Sequence, residues 1–103
     1  KYTRGGKVLS VSLLLGGDGE VTELIVGEDS PFTNKPLSDL DLPKGIIIGT
    51  IIREGEVIIP KGDSIIRADD RIIVFSLIED TPILKKFFSP KKGGILSEFW
   101  GSH

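Results

Sequence analysis

The sequence contains no cysteine and no methionine, and its only histidine is the last of its 103 residues. Disulfides, cysteine-based zinc sites and thiol catalysis are therefore excluded, and no internal histidine is present to serve a catalytic triad. Alanine, the residue with the highest helix propensity, occurs once, as Ala68. These shortages exclude a helical bundle or coiled coil, and we expect no enzymatic activity.

Long apolar runs and an excess of positive charge are absent as well. No run approaches the roughly 20 apolar residues of a membrane span, so we expect a soluble chain. The net charge of −2 provides no general attraction to nucleic acid, so we expect no nucleic-acid partner. There is no signal peptide or initiator methionine, and we expect a fragment of a longer protein in which residues 101–103 are the remnant of a tag.

The aliphatic residues that are present favour β-sheet. Fifteen isoleucines, eleven leucines and six valines accompany the one alanine, and β-branched side chains suit pleated strands. A first hairpin is predicted from residues 7–15 and 20–26 around the glycine-rich loop 16–19. A second is predicted around a two-residue turn at Glu54-Gly55, with Arg53 facing Glu56 and Ile52 facing Val57.

Further strands are predicted at residues 46–52, which we expect to be buried on both faces, and at 64–67 and 71–77. Prolines interrupt residues 27–45, where we predict a loop with one short helix at residues 37–40 after Pro36. A C-terminal helix is predicted from Thr81 to Ser89, with Thr81 as its cap and Pro82 at its first position.

The fold class predicted from these elements is a small α+β domain. It has a mixed or antiparallel β-sheet with hairpins, one short helix in the 30–45 loop and a C-terminal helix. We assign residues 1–90 to the domain, with 1–19 as its lead-in strand and hairpin loop. Residues 91–103 form a tail whose Phe99-Trp100 pair we expect to dock on a partner.

Four polar clusters are candidate sites. The acidic pairs Asp69-Asp70 and Glu79-Asp80 lie in turn-like segments, so we favour solvated turns over a metal site, for which two side chains supply too few ligands. The loop 16–19 lacks the spacing of calcium or phosphate loops. The lysines at positions 85, 86, 91 and 92 are interpreted as a solvated face with phenylalanines packed inward, the alternative being an anionic membrane or nucleic acid.

Five segments together match a known pattern. They cover residues 20–26, 30–37, 42–45, 48–55 and, as one interrupted segment, 60–63 with 70–75. In this order and spacing they resemble the C-terminal regulatory lobe of potassium-conductance regulators, the RCK_C or TrkA_C family. Residues 2–13 resemble the lead-in to the second such lobe in the peripheral subunits of Trk-type potassium uptake systems. The resemblance extends from Lys1 to Phe88.

The resemblance implies a regulatory domain that follows a Rossmann-type lobe, absent from this chain, which binds NAD(H) or adenine nucleotides. It also implies a cytoplasmic location, peripheral to the inner face of the membrane, beside a potassium-translocating membrane subunit. Some relatives bind cyclic di-AMP at a dimer interface through an Ile-Arg-Ala-type helix. Pro43 and Gly45 stand in the corresponding segment here, so the resemblance does not extend to those contacts.

The apolar residues of the proline-containing loop are candidates for a twofold contact in a homodimer or higher oligomer: Leu37, Leu40, Leu42 and Ile46. The predicted function is that of a regulatory and oligomerisation domain that helps gate potassium transport. The alternative is a small-ligand sensor in which the dimer of this domain itself binds the effector.

Overall fold

The fold was analysed in a computed structural model that describes residues 6–14 and 16–88. Five strands are present: β1 (Gly6–Leu13), β2 (Gly19–Val26), β3 (Ile46–Arg53), β4 (Glu56–Ile58) and β5 (Arg71–Leu77). They form one antiparallel sheet in the order β1-β2-β5-β3-β4. An α-helix, α1, covers Thr81–Phe88, and 3₁₀ turns cover Leu37–Asp39 and Ile78–Asp80. The predicted α+β class is confirmed, and the sheet is antiparallel.

Both predicted hairpins are present. Strands β1 and β2 pair around the glycine-rich loop, with a bulge in β1 between Val8 and Ser10. In the second hairpin Arg53 lies opposite Glu56 and Ile52 opposite Val57, which is the predicted register. Glu54 and Gly55 have φ values of 52° and 82°, and two positive φ values define a type I′ turn. This turn matches the twist of the flanking strands.

The sheet buries one face only, and this corrects the prediction that residues 46–52 are buried on both faces. Ile46, Ile48 and Ile51 point into the core, whereas Ile47 is 59% exposed. The prediction was wrong because a continuous apolar run is typical of a strand covered on both sides, while an antiparallel sheet needs cover on one side only.

The predicted strand at residues 64–67 does not join the sheet. Ile65 and Ile66 instead form isolated bridges to Pro36 and Thr33. Ile66 is fully buried, so this short segment lies across the core face together with the loop 27–45 rather than extending an edge. Ile65 and Ile66 are β-branched residues typical of a strand, but they pair with the loop 27–45 and not with a strand of the sheet.

The core lies between the sheet and the segments that cross it. Leu24, Ile51, Ile72 and Val74 contribute from the centre of the sheet, where the pairing Leu24–Ile72–Ile51 aligns them on one face. The covering side chains are Phe32, Leu40, Ile66 and Leu84.

Thr81 does not cap the C-terminal helix as predicted. The 3₁₀ turn at Ile78–Asp80 leads directly into α1, and the Thr81 hydroxyl donates to the carbonyl oxygen of Ile78 at 2.9 Å. Thr81 itself has helical φ and ψ of −60° and −33°, so it lies inside the helical path rather than before it. The expected docking of Phe99-Trp100 lies outside the described residues.

Candidate interaction surface

The four apolar residues proposed for a twofold contact do not share one environment. Leu40 and Ile46 are 4% and 5% exposed and belong to the core of the single chain. Leu37 and Leu42 are half-buried and pack against that core. Only the latter two therefore offer substantial side-chain surface to a partner.

Hydrogen bonds from side chains and from the backbone fix the loop that carries these residues. The Ser30 hydroxyl accepts the amide of Phe32 at 3.1 Å, while the Thr33 hydroxyl donates to the Ser30 carbonyl at 2.8 Å. This local turn directs Phe32 into the core. Further along, the amides of Leu37 and Ser38 donate to the carbonyls of Ser64 and Gly62, each at 2.9 Å. The 3₁₀ turn is thus attached to the segment 60–66.

A cavity of 510 Å³ lies beside this attached loop, at the edge of β3. We call it the β3-edge cavity; its apolar lining comes from Leu37, Leu42, Ile46, Ile47, Ile48 and Pro60. It lies at an edge because β4 pairs only with residues 51–53 of β3, so residues 46–49 extend beyond the end of β4. Three of the four predicted residues line the cavity, and Leu40 does not.

The polar residues of the β3-edge cavity include one acid and one base. Asp41 and Lys61 are both exposed, and Ser38 completes the polar lining. Asp41 has a φ of 59°, so the chain turns sharply immediately before Leu42. The arrangement suits burial of apolar surface within a charged rim, the usual anatomy of a protein interface. In residues 6–14 and 16–88, no three His, Cys, Asp or Glu side chains are grouped to hold a metal ion.

The prediction of a solvated turn at Asp69-Asp70 was wrong for Asp70. Its side chain is 2% exposed, and both of its oxygens accept hydrogen bonds from Arg53, each at 2.8 Å. Asp70 Oδ2 also accepts the amide of Arg67 at 2.8 Å, and Arg53 Nη2 donates to the carbonyl of Ile65 at 2.9 Å. This network attaches the 65–70 segment to the β3–β4 hairpin.

The Arg53–Asp70 pair was missed because the hairpin register places Glu56 directly opposite Arg53, and no local pattern indicated a partner 17 residues away. The hydrogen bond to Asp70 and then its negative charge raise the pKa of Arg53, although desolvation opposes them. The guanidinium therefore stays charged, and the pair is structural.

The other acidic pair and the two described lysines lie at or near the surface. Glu79 is exposed in the second 3₁₀ turn, as a solvated turn requires, whereas Asp80 is half-buried and its Oδ2 lies against Gly45. Lys86 is exposed and Lys85 half-buried on α1. The remaining two lysines of that cluster lie outside the described residues.

A protein-family profile and the curated relatives of this chain name the same family. The sequence profile of the TrkA-C domain matches residues 21–89. The chain is 40% identical over 88 residues to the Trk system potassium uptake protein TrkA of Azorhizobium caulinodans, covering 85% of this chain and 19% of that protein. It is also 40% identical over 82 residues to a TrkA homolog of Archaeoglobus fulgidus, covering 80% of this chain and 19% of that protein. The chain thus spans about a fifth of the length of these relatives.

Solved structures share the fold. The crystal structure of the GsuK RCK domain superimposes with a TM-score of 0.70 at 15% identity, covering 89% of this chain and 20% of that one. The GsuK channel gives a TM-score of 0.70 at 16% identity, covering 88% and 17%. Among the described residues, no helix has the length and apolar character needed to cross a membrane.

Proposed function

The chain belongs to the TrkA-C domain family, and we propose that it is a regulatory and oligomerisation domain of a Trk-type potassium uptake system. Relatives at 40% identity carry the name of that system. Because the chain corresponds to about a fifth of each relative, gating would be a property of the whole protein, to which this domain contributes an interface.

The observation that carries this proposal is the β3-edge cavity. In a twofold contact the same surface meets itself, so an acid and a base on one rim can pair reciprocally with their copies. Asp41 and Lys61 provide such a rim, and Leu37 and Leu42 provide apolar side chains beside it. Leu40 and Ile46 would act from beneath, by holding the loop in shape.

The interface would couple two parts of the longer protein. A preceding Rossmann-type lobe that binds NAD(H) or an adenine nucleotide would change conformation, and the dimer contact would transmit that change to a potassium-translocating subunit at the inner face of the membrane. Coupling of this kind requires that the contact differ between two states. An interface with a rim of opposite charges and a modest apolar centre can meet that requirement without irreversible association.

The test uses the full-length protein in cells that depend on it for potassium uptake. Leu42→Asp places a charge in the contact and is expected to abolish growth at limiting potassium. Leu13→Asp is the matched control, because Leu13 is exposed at the end of β1, the edge strand farthest from β4. Normal growth of the Leu42→Asp strain at wild-type protein levels would contradict the proposal.

Calorimetry separates this role from ligand sensing by the domain itself. The chain is titrated with ATP, NADH and cyclic di-AMP, and we expect no heat of binding with any of them. Saturable binding of one ligand that is lost in Leu42→Asp would instead establish the sensor function.

A further inference from the structure

The sheet face opposite the core is also apolar. Strand pairing places Val21, Phe75 and Ile47 side by side on this outer face, across β2, β5 and β3. Phe75 is 41% and Ile47 59% exposed. Large apolar side chains that adjoin one another on a surface commonly mark a docking site.

One end of the outer face forms a groove of 320 Å³, which we call the Phe75 groove. Its apolar lining comes from Leu14, Gly19, Gly45, Ile47, Phe75 and Leu77. The two glycines let neighbouring side chains pack closely on the backbone of the groove: Leu14 lies over Gly19, where a Cβ would be 2.9 Å from Leu14 Cδ1, and Leu77 and Asp80 lie against Gly45. Asp18 and Lys44 stand at the rim with opposite charges.

We propose that the Phe75 groove is the docking site for the chain's own C-terminal segment, residues 95–100. This segment contains four large apolar residues in six positions: Ile95, Leu96, Phe99 and Trp100. An apolar groove and an apolar segment of the same chain meet at a high effective concentration, which no free partner has.

Chain length allows this contact. Leu77 lines the groove and ends β5, and the two helical elements from Ile78 to Phe88 advance at most about 6 Å and about 12 Å. The seven residues from Phe88 to Ile95 span up to about 24 Å when extended. This reach exceeds the roughly 18 Å by which the two helical elements can carry the chain away from Leu77, so the segment can return to the groove.

Charge complementarity favours the same occupant. Glu98 lies between the two apolar pairs of the segment, and Lys44 lies at the rim of the groove. Lys91 and Lys92 precede the segment, and Asp18 is the acidic residue at the rim. A docked segment could therefore bring opposite charges together at two points, Glu98 with Lys44 and the preceding lysines with Asp18.

Tryptophan emission tests the proposal directly, because Trp100 is the only tryptophan of the chain. We expect blue-shifted emission and weak acrylamide quenching that do not vary with protein concentration. Ile47→Asp should shift the emission to the red and raise the quenching constant several-fold, and Phe75→Ala should do so to a smaller extent. Val57→Asp is the matched control, since Val57 is an exposed aliphatic residue of β4 outside the groove.

Three results would overturn the proposal. Emission typical of a solvated indole in the unmodified chain would show that the segment is undocked. Emission that shifts with concentration would indicate that a second copy covers the groove. Buried emission that neither groove variant changes, in proteins whose circular dichroism is native, would place Trp100 elsewhere.

Discussion

Arg53 and Asp70 form a two-point ion pair in which Nε and Nη2 of the guanidinium donate to the two carboxylate oxygens, each at 2.8 Å. The carboxylate is almost fully buried and the arginine is 24% exposed. The pair connects the last residue of β3 to the turn before β5, so it holds the loop layer against the sheet.

Removing the arginine should destabilise the fold strongly. Arg53→Ala leaves the Asp70 carboxylate buried with only the Arg67 amide as a donor, and we expect a loss of about 3 kcal/mol in the free energy of unfolding, measured in urea. The matched control is Arg71→Ala, which breaks the exposed Arg71–Glu23 pair at 3.2 Å and should cost less than about 1 kcal/mol. Equal losses in the two variants would contradict the structural role of the pair.

The pH dependence of this contribution follows from the raised pKa of Arg53. A base whose pKa is raised on folding adds stability that is fully present below its unfolded pKa and is lost only as pH rises through the folded value. The unfolding free energies of wild type and Arg53→Ala should therefore differ by a constant amount from neutral to mildly alkaline pH. A difference that declined in this range would show that another group controls the pair.

The position of the Phe75 ring requires a glycine at position 49, because the ring lies against its backbone. A Cβ at Gly49 would overlap the edge of that ring at the bulge where the β3–β5 register shifts. Gly49→Ala should lower the free energy of unfolding by about 1–3 kcal/mol, the usual cost of overpacking. The control is Gly62→Ala, whose new Cβ would meet Ser38 Cβ at 3.6 Å, an ordinary contact. If both variants unfold at the same urea concentration, the ring does not depend on the glycine.

Alanine substitutions at Leu40 and Leu37 should distinguish a core residue from a surface residue by their cost in unfolding free energy. Leu40 is in the core, so Leu40→Ala should cost about 2–5 kcal/mol in urea unfolding. Leu37 is half-buried beside the β3-edge cavity, and Leu37→Ala should cost about 1 kcal/mol because less apolar area is lost from the monomer. A larger loss for Leu37→Ala would mean that the loop packs differently.

The sequence predicts local structure better than burial. The Glu54-Gly55 turn and the register beside it follow from residues within a few positions. The loop at Leu37 likewise follows from the prolines beside it. Burial depends instead on which distant segment covers a strand, and for this reason the exposure of Ile47 and the burial of Asp70 were not foreseen. Leu40 and Leu42 are two positions apart and equally apolar, yet only the fold shows that the first supports the loop and the second lines the cavity.

Sedimentation equilibrium of the chain over a range of concentrations tests whether the β3 edge forms a twofold contact. We expect a reversible dimer for wild type and for the Leu13→Asp control, and a folded monomer for Leu42→Asp. A wild-type chain that stays monomeric at the highest concentration, or a Leu42→Asp variant that dimerises as tightly as wild type, would contradict a twofold contact at the β3 edge.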